Sequence, residues 1–222
     1  MDMRKSFLIM ATFMLLSFMA NAQLIKDRTN GQVTMGFDLF TDINTGSKYE
    51  NFDLRAINQG FGTYLTYNFP MGESKNTVSL GGGYSCHNYY MKDAWLAEPY
   101  AHAIEFTEAE VKKSKVNFHY MDIPLEVNLR IADKFKISFG AKVSFLIQAN
   151  SKAVGYMLGD GHKWEIKYNN INAVESIVYS SFARFGYRSV NLYIGYQFNS
   201  SFKDGRGPEI LPFSIGIGIR PY

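Results

Sequence analysis

Eight segments of this chain alternate apolar and polar residues, which is the periodicity of β-strands with two different faces. In the clearest segment, every second residue from Phe135 to Ile147 is apolar, and Lys136 and Lys142 lie among the residues between them. The eight segments are residues 32–41, 59–69, 77–91, 116–131, 135–149, 174–187, 190–202 and 210–222. This repetition predicts an all-β fold of antiparallel strands.

The links between these segments alternate in length. The long links are residues 42–58, 92–115 and 150–173, the short ones are 70–76, 132–134 and 188–189, and 203–209 closes the series. This alternation is typical of outer-membrane barrels, in which tight turns face the periplasm and larger loops face outside. An even strand number then places both chain ends on the periplasmic side.

The segments are also long. A length of about 10 to 14 residues matches a tilted strand that crosses the hydrocarbon core, whereas strands of soluble proteins usually have about 5 or 6 residues. Because lipid offers no hydrogen bonds to the backbone, such a sheet must close on itself. The sequence therefore predicts an eight-stranded antiparallel up-and-down transmembrane β-barrel.

The distribution of charge predicts which face meets the lipid. In residues 116–131, Asp122, Glu126 and Arg130 share one face, and the opposite face is aliphatic. A membrane barrel places the aliphatic face outward, and a soluble periplasmic ligand-binding barrel places it inward. Alternation fits both, but the segment length, the 16% aromatic content and the secretory signal described next favour the membrane form.

The first residues resemble an export signal. Arg4 and Lys5 precede an apolar stretch from residue 7 to residue 19, and Ala20 and Ala22 supply the small residues of a cleavage site. We expect residues 1–22 to be a signal peptide and residues 23–222 to form the barrel domain. The predicted location is the outer membrane, reached through the inner membrane.

An eight-stranded barrel has a lumen just wide enough for side chains to fill it. We therefore predict a lumen charge network within the hairpin of residues 116–149. Its members are Asp122, Glu126, Arg130, Lys136 and Lys142. Its expected role is structural, because opposite charges neutralise one another away from bulk water; an ion or proton path is the alternative.

Few residues suggest a catalytic site. Ser85 and His87 share a strand face, and Glu105 or Glu126 is a candidate carboxylate for a Ser–His–carboxylate set. Enzymes of this kind modify envelope lipid, but sequence does not show whether the side chains meet. No catalytic residue, cofactor or metal ligand is therefore assigned, and a net charge of +3 gives no reason to expect a nucleic-acid partner.

Both tryptophans lie in predicted outer loops. Trp95 and Tyr100 belong to residues 92–115, and Trp164 belongs to residues 150–173. They are candidates for contacts with a protein partner, or they pack the loops over the barrel mouth. The stretch Thr107-Glu108-Ala109-Glu110 fits a capping box and predicts a short helix.

The stretch Tyr120-Met121-Asp122-Ile123-Pro124-Leu125-Glu126, followed by the hairpin that ends in FKISFGAKVSFLI, resembles the outer-membrane β-barrel family that includes PorT-like proteins. The resemblance implies an eight-stranded barrel in the cell envelope of a Gram-negative bacterium. Outer-membrane barrels commonly end in an aromatic residue that is in phase with the lipid-facing residues and that the barrel assembly machinery reads. Tyr222 is terminal here, but Pro221 precedes it and it is one residue out of phase with Ile219, which departs from the usual ending. The family is functionally mixed.

These observations favour a non-enzymatic outer-membrane barrel with a structural, adhesion or secretion-accessory role, in contact with outer-membrane lipid. The alternatives are a barrel enzyme that modifies envelope lipid through Ser85 and His87, and a soluble periplasmic barrel that binds a ligand.

Overall fold

The computed structural model describes residues 32–47, 52–158 and 160–220. The predicted signal peptide and Tyr222 lie outside these residues. Within them the strands are β1 (Val33–Asn44), β2 (Asn58–Pro70), β3 (Thr77–Met91), β4 (Ala94–Leu96), β5 (Phe106–Glu108), β6 (Glu110–Ala132), β7 (Phe135–Tyr156), β8 (Trp164–Asn169), β9 (Ile177–Tyr187), β10 (Val190–Gln197) and β11 (Pro212–Ile219).

Eight of these strands close into a ring. Their order is β1, β2, β3, β6, β7, β9, β10 and β11, and β11 pairs with β1. Every neighbouring pair in the ring is antiparallel. The predicted eight-stranded antiparallel barrel is thus confirmed. Strand β8 pairs outside the ring with β7, and β4 and β5 form a separate two-stranded sheet.

The links place long and short connections at opposite ends of the barrel. Residues 71–76, 133–134 and 188–189 form short turns at one end, here named the turn end. Residues 45–57, 92–109, 157–176 and 198–211 connect strands at the other end, here named the loop end. The predicted short helix is wrong, because Phe106–Glu108 is strand β5, paired with β4 through residues such as Trp95. Burial of Phe106 in the barrel mouth outweighs the local capping signal.

The ring turns its aliphatic face outward. Leu125 is 52% exposed and Phe139 is 50% exposed, whereas Glu126, next to Leu125 on β6, is 1% exposed. In lipid, this arrangement gives the acyl chains an apolar surface and encloses the charges. In the part of the wall from Met121 to Ile131, the opposite arrangement, which a soluble barrel requires, is not observed. Among the described residues no helix is long and apolar enough to cross a membrane.

The apolar face changes side toward the loop end. Strands β6 and β7 have 23 and 22 residues, about twice the length that crosses a bilayer. On β6 the outward apolar positions run from Met121 to Ile131, but Phe118 and Tyr120 are buried inside. The wall therefore continues beyond the lipid-facing belt as a sheet with its apolar side inward, as in a soluble protein.

The interior has two regions. Toward the loop end, sixteen buried apolar residues form one cluster that includes Phe118 from β6, Phe202 from the last loop, and Leu96 and Phe106 from β4 and β5. Toward the turn end the interior is polar and charged. The loop segments are therefore packed into the barrel mouth, and the buried charged side chains lie beneath them.

Candidate functional site

Glu126 of β6 is the centre of a buried cluster of four charges. Its Oε2 accepts a hydrogen bond from Arg184 Nη1 of β9 at 3.0 Å, and its Oε1 accepts one from Arg220 Nη2 beside β11. Arg184 Nη2 also donates to Asp38 Oδ2 of β1 at 2.8 Å. The four side chains are between 1% and 6% exposed. The cluster therefore ties together strands that lie on different sides of the lumen.

The cluster is electrically balanced and surrounded by aromatic rings. Two guanidinium groups face two carboxylates, which is the arrangement that buried charges require. The Arg184 guanidinium carbon lies 4.5 Å from the ring centre of Tyr64, 4.4 Å from that of Phe182 and 5.2 Å from that of Tyr193. Such stacking stabilises a cation that has lost its water.

Toward the turn end the cluster continues as a network of amides and hydroxyls. Arg220 Nη1 donates to Asn128 Oδ1 at 3.2 Å, and Ser138 Oγ donates to the same oxygen at 2.6 Å. Asn128 Nδ2 donates to Ser79 Oγ at 2.8 Å, and Ser79 Oγ donates to Asn68 Oδ1 at 2.5 Å. Short polar side chains from four strands therefore fill this part of the lumen.

Toward the loop end the next layer is an ion pair. Lys142 Nζ of β7 donates to Asp122 Oδ2 of β6 at 3.2 Å, and both side chains are about nine-tenths buried. A cavity of about 30 Å³ lies among Asp122, Lys142, Arg184 and Tyr64, which is room for roughly two water molecules. Apart from this small cavity, side chains fill the lumen at this level.

His87 faces a carboxylate that sequence reasoning did not select. Its Nδ1 donates to Asp42 Oδ2 at 2.7 Å, and Ser214 Oγ donates to Asp42 Oδ1 at 2.5 Å. Ser85 lies on the same inward face, but among the described residues its Oγ has no hydrogen-bond partner. The pair His87–Asp42 therefore exists without a hydrogen bond from Ser85 to the imidazole.

The five predicted network residues do not form one network in the structure. Asp122 and Lys142 form a pair, and Glu126 bonds to Arg184 and Arg220 instead of to its own hairpin. Lys136 is half-buried and close enough to Glu126 for their charges to interact. Arg130 is exposed at the turn end.

Asp38, Arg184 and Arg220 were not predicted as network members. Each lies on the polar face of its strand, so a search of every polar face for charges would have found them. The partners, however, come from strands more than 50 residues away in the chain. Only closure of the ring brings these strands together.

The three predicted loop contacts differ in accessibility. Trp95 is 6% exposed and belongs to β4, whereas Tyr100 is 58% exposed and Trp164 is 44% exposed. Tyr100 Oη donates to the carbonyl of Asn169 at 3.1 Å, and Trp164 Nε1 donates to Asp160 Oδ2 at 2.8 Å. Tyr100 and Trp164 are therefore held on the surface of the loop end.

Among the described residues no group of three His, Cys, Asp or Glu side chains is arranged to hold a metal ion. A surface cavity of about 410 Å³ lies at the loop end, lined by residues between Glu175 and Glu209. Hydrogen bonds from the side chain and backbone of Ser47 lower the pKa of Glu209. This carboxylate therefore helps to hold the first long loop.

A model of the outer membrane protein β-barrel domain matches residues 21–206. No curated protein matches the sequence. Among solved structures, the crystal structure of Ail, the attachment invasion locus protein of Yersinia pestis, in complex with the heparin analogue sucrose octasulfate, is 14% identical. That alignment covers 85% of this chain and 95% of Ail, with a TM-score of 0.38.

A second structure of Y. pestis Ail, in a phospholipid bilayer nanodisc, is 11% identical over 86% of this chain and 99% of that one, with a TM-score of 0.33. A mutant of the Rh. blastica porin is 8% identical over 85% of this chain and 98% of that one, with a TM-score of 0.18. The family match covers residues 21–206, which is most of the sequence.

Proposed function

Because the chain belongs to the outer membrane protein β-barrel domain family, we propose that it is a non-enzymatic component of the outer membrane. In this proposal the barrel is sealed, and it anchors its loop end in a structural, adhesion or secretion-accessory role. The outward aliphatic belt contacts outer-membrane lipid.

The observation that carries the proposal is the filled lumen. The cluster of Glu126, Arg184, Arg220 and Asp38 joins four strands across the interior, and the Asp122–Lys142 pair lies above it. The apolar cluster then occupies the mouth. An ion would have to break buried ion pairs and enter an apolar layer to pass, and both steps are unfavourable.

The loop end offers the surface for a partner. Because Leu96 and Phe106 are anchored in the apolar cluster, the segments around them are held in place. Tyr100 projects from the segment between Leu96 and Phe106, and Trp164 projects from β8. Exposed aromatic side chains are common anchors of protein interfaces. We therefore assign partner contact to these two residues, and we assign a packing role to the buried Trp95.

Conductance tests the sealed barrel directly. The full-length protein is inserted into a planar bilayer, with a sixteen-stranded porin as the positive control, because such a barrel encloses an aqueous channel. We expect no discrete current steps from the protein under conditions in which the porin gives them. Reproducible steps from correctly folded protein would overturn the proposal.

Export and insertion belong to the same proposal. Residues 1–22 are removed on export, and the barrel assembly machinery inserts the mature chain. Mass spectrometry of the protein from outer membranes should show a first residue of Gln23. Retention of Met1 in that fraction would contradict the cleavage.

The His87–Asp42 hydrogen bond favours a second candidate function, hydrolysis of an envelope lipid with Ser85 as nucleophile. A carboxylate that orients a histidine is one part of such a site. However, Ser85 and His87 face the lumen, both are buried, and Ser85 does not bond to the imidazole. Envelope lipid from a His87→Ala strain should match the wild type; loss of one lipid modification would establish the enzymatic alternative.

A further inference from the structure

The outward face of the barrel wall changes from apolar to polar at one level. On β6, Met121 is the last apolar residue of the belt, and His119, Asn117 and Lys115 follow it outward toward the loop end. On β7, Ile147 is 59% exposed at the corresponding level. Because polar wall residues do not face acyl chains, the hydrocarbon core ends between Met121 and His119.

Strand register arranges the polar residues beyond this level in two rows. The first row consists of asparagines directly opposite one another on β3, β6, β7 and β8, namely Asn88, Asn117, Asn150 and Asn169. The second row, two residues further along each strand, consists of Tyr90, Lys115, Lys152 and Lys167. We name this surface the polar rows.

The polar rows carry an excess of positive charge. Like charges directly opposite one another in a sheet are destabilising, yet Lys115, Lys152 and Lys167 are successive neighbours. Glu165 bonds to Lys152 at 2.9 Å and to Lys167 at 2.8 Å, so one carboxylate contacts two of the three ammonium groups. Hydrogen bonds from Lys167 and Lys152 lower the pKa of Glu165 to about 2.

Other contacts hold the rows in place and leave them partly unsatisfied. Lys115 Nζ donates to Asn88 Oδ1 at 2.8 Å, which turns this lysine back toward the membrane. The amines of Lys113 and Lys115 lie 5.9 and 6.0 Å from the ring centre of Tyr90. Among the described residues, Asn150 Oδ1 is buried without a hydrogen-bond partner. The rows thus have an excess of positive charge, because Glu165 is the one carboxylate of the described residues that bonds to these lysines.

The asparagine row lies at the outer edge of the headgroup layer, and the lysine row lies beyond it. A strand rises about 3.3 Å per residue and tilts by about 40°, so the asparagine row lies about 10 Å and the lysine row about 15 Å beyond Met121. Headgroup regions occupy roughly 5 to 8 Å on each side of the hydrocarbon core. Lysine side chains are long enough to extend back from this height toward the headgroups, as Lys115 does when it bonds to Asn88.

We propose that the polar rows bind phosphorylated lipid headgroups of the leaflet at the loop end. Lys115, Lys152 and Lys167 contact the phosphate, and the side-chain amides of Asn117 and Asn150 bond to headgroup oxygens. The bound phosphate offsets the repulsion within the lysine row. This inference uses only the position of the barrel in lipid, so it is independent of whether the barrel is sealed.

Native mass spectrometry of the full-length protein in micelles tests the proposal, with phosphatidylglycerol and phosphatidylcholine as the added lipids. A lysine near an anionic lipid surface favours binding by about 1 kcal/mol, so the protein should prefer phosphatidylglycerol by roughly fivefold or more. The triple variant Lys115→Gln, Lys152→Gln, Lys167→Gln should show nearly equal binding of the two lipids.

The control variant Lys92→Gln, Lys163→Gln, Lys203→Gln removes the same charge elsewhere at the loop end and should keep the preference. Glu165→Gln should increase it, which provides a gain of binding even if the triple variant fails to fold. Equal binding of both lipids by the wild type, or equal losses in the triple and control variants, would overturn the proposal.

Discussion

At Glu126 a single carboxylate bonds to two arginines from different parts of the barrel wall. The side chains of Glu126 and Arg220 are each 1% exposed, so neither charge has water as an alternative partner. In such a setting the pair as a whole need not add stability, but loss of one member leaves an uncompensated buried charge. We therefore expect substitution of Glu126 alone to destabilise the barrel.

Substitution Glu126→Gln should lower the free energy of unfolding by about 3 to 5 kcal/mol, because Arg184 and Arg220 lose a buried counter-ion. Urea unfolding of the refolded barrel in micelles measures the change. The exposed turn residue Glu73 supplies the control, since Glu73→Gln should change stability by less than about 0.5 kcal/mol. A loss below 1 kcal/mol for Glu126→Gln would mean that the cluster is not structurally required.

At the scale of an element, β3 shows how closely the strands approach inside the barrel. Gly81 and Gly82 are adjacent in the chain but point to opposite faces of the wall. A Cβ at Gly81 would lie 2.0 Å from the carbonyl oxygen of Leu65 and 2.7 Å from Thr66 Cα, whereas a Cβ at Gly82 would have no heavy atom within 4 Å. Alanine at both positions changes strand propensity in the same way, but only alanine at Gly81 would collide with its neighbours. A comparison of the two substitutions therefore measures the effect of interior packing.

Gly81→Ala should destabilise the barrel by about 1 to 3 kcal/mol, because backbone atoms of β2 would have to move. Gly82→Ala should leave stability unchanged or raise it slightly, because alanine restricts the unfolded chain. The same urea titration compares the two variants. Similar effects of both substitutions would show that the close approach of Gly81 to the backbone of β2 does not determine which side chain fits there.

The bounds of the strands show where sequence periodicity predicts an element correctly and where it does not. The predicted segment 77–91 coincides with β3, but β6 begins six residues before the predicted segment at 116, and β8 was not predicted. On β6 the apolar side switches from inward at Tyr120 to outward at Met121. Alternation breaks at that point, so a search for one continuous pattern stops near the edge of the lipid.

At the scale of the whole molecule, the two ends of the barrel differ in ways that predict its orientation. The turn end has only short connections, and the loop end carries the long segments and the polar rows. Outer-membrane barrels keep short turns on the periplasmic side. The exposed residues Tyr100 at the loop end and Glu73 at the turn end allow a test.

In a Cys86→Ser background, Tyr100→Cys should react with a membrane-impermeant maleimide on intact cells. Glu73→Cys should react only after the outer membrane is made permeable, because the turn end faces the periplasm. Labelling of both variants in permeabilised cells controls for reactivity. The reverse pattern on intact cells would invert the orientation.

The sequence by itself determined the number of ring strands, the alternation of long and short links, and the face that meets lipid. These are local properties, since a period of two residues and the position of turns are readable without knowing any partner. The tertiary structure alone decided that Glu126 bonds to Arg184 and Arg220, that Asp42 faces His87, and that asparagines and lysines align in rows. Such pairs depend on ring closure and strand register, which bring together residues that are far apart in the chain.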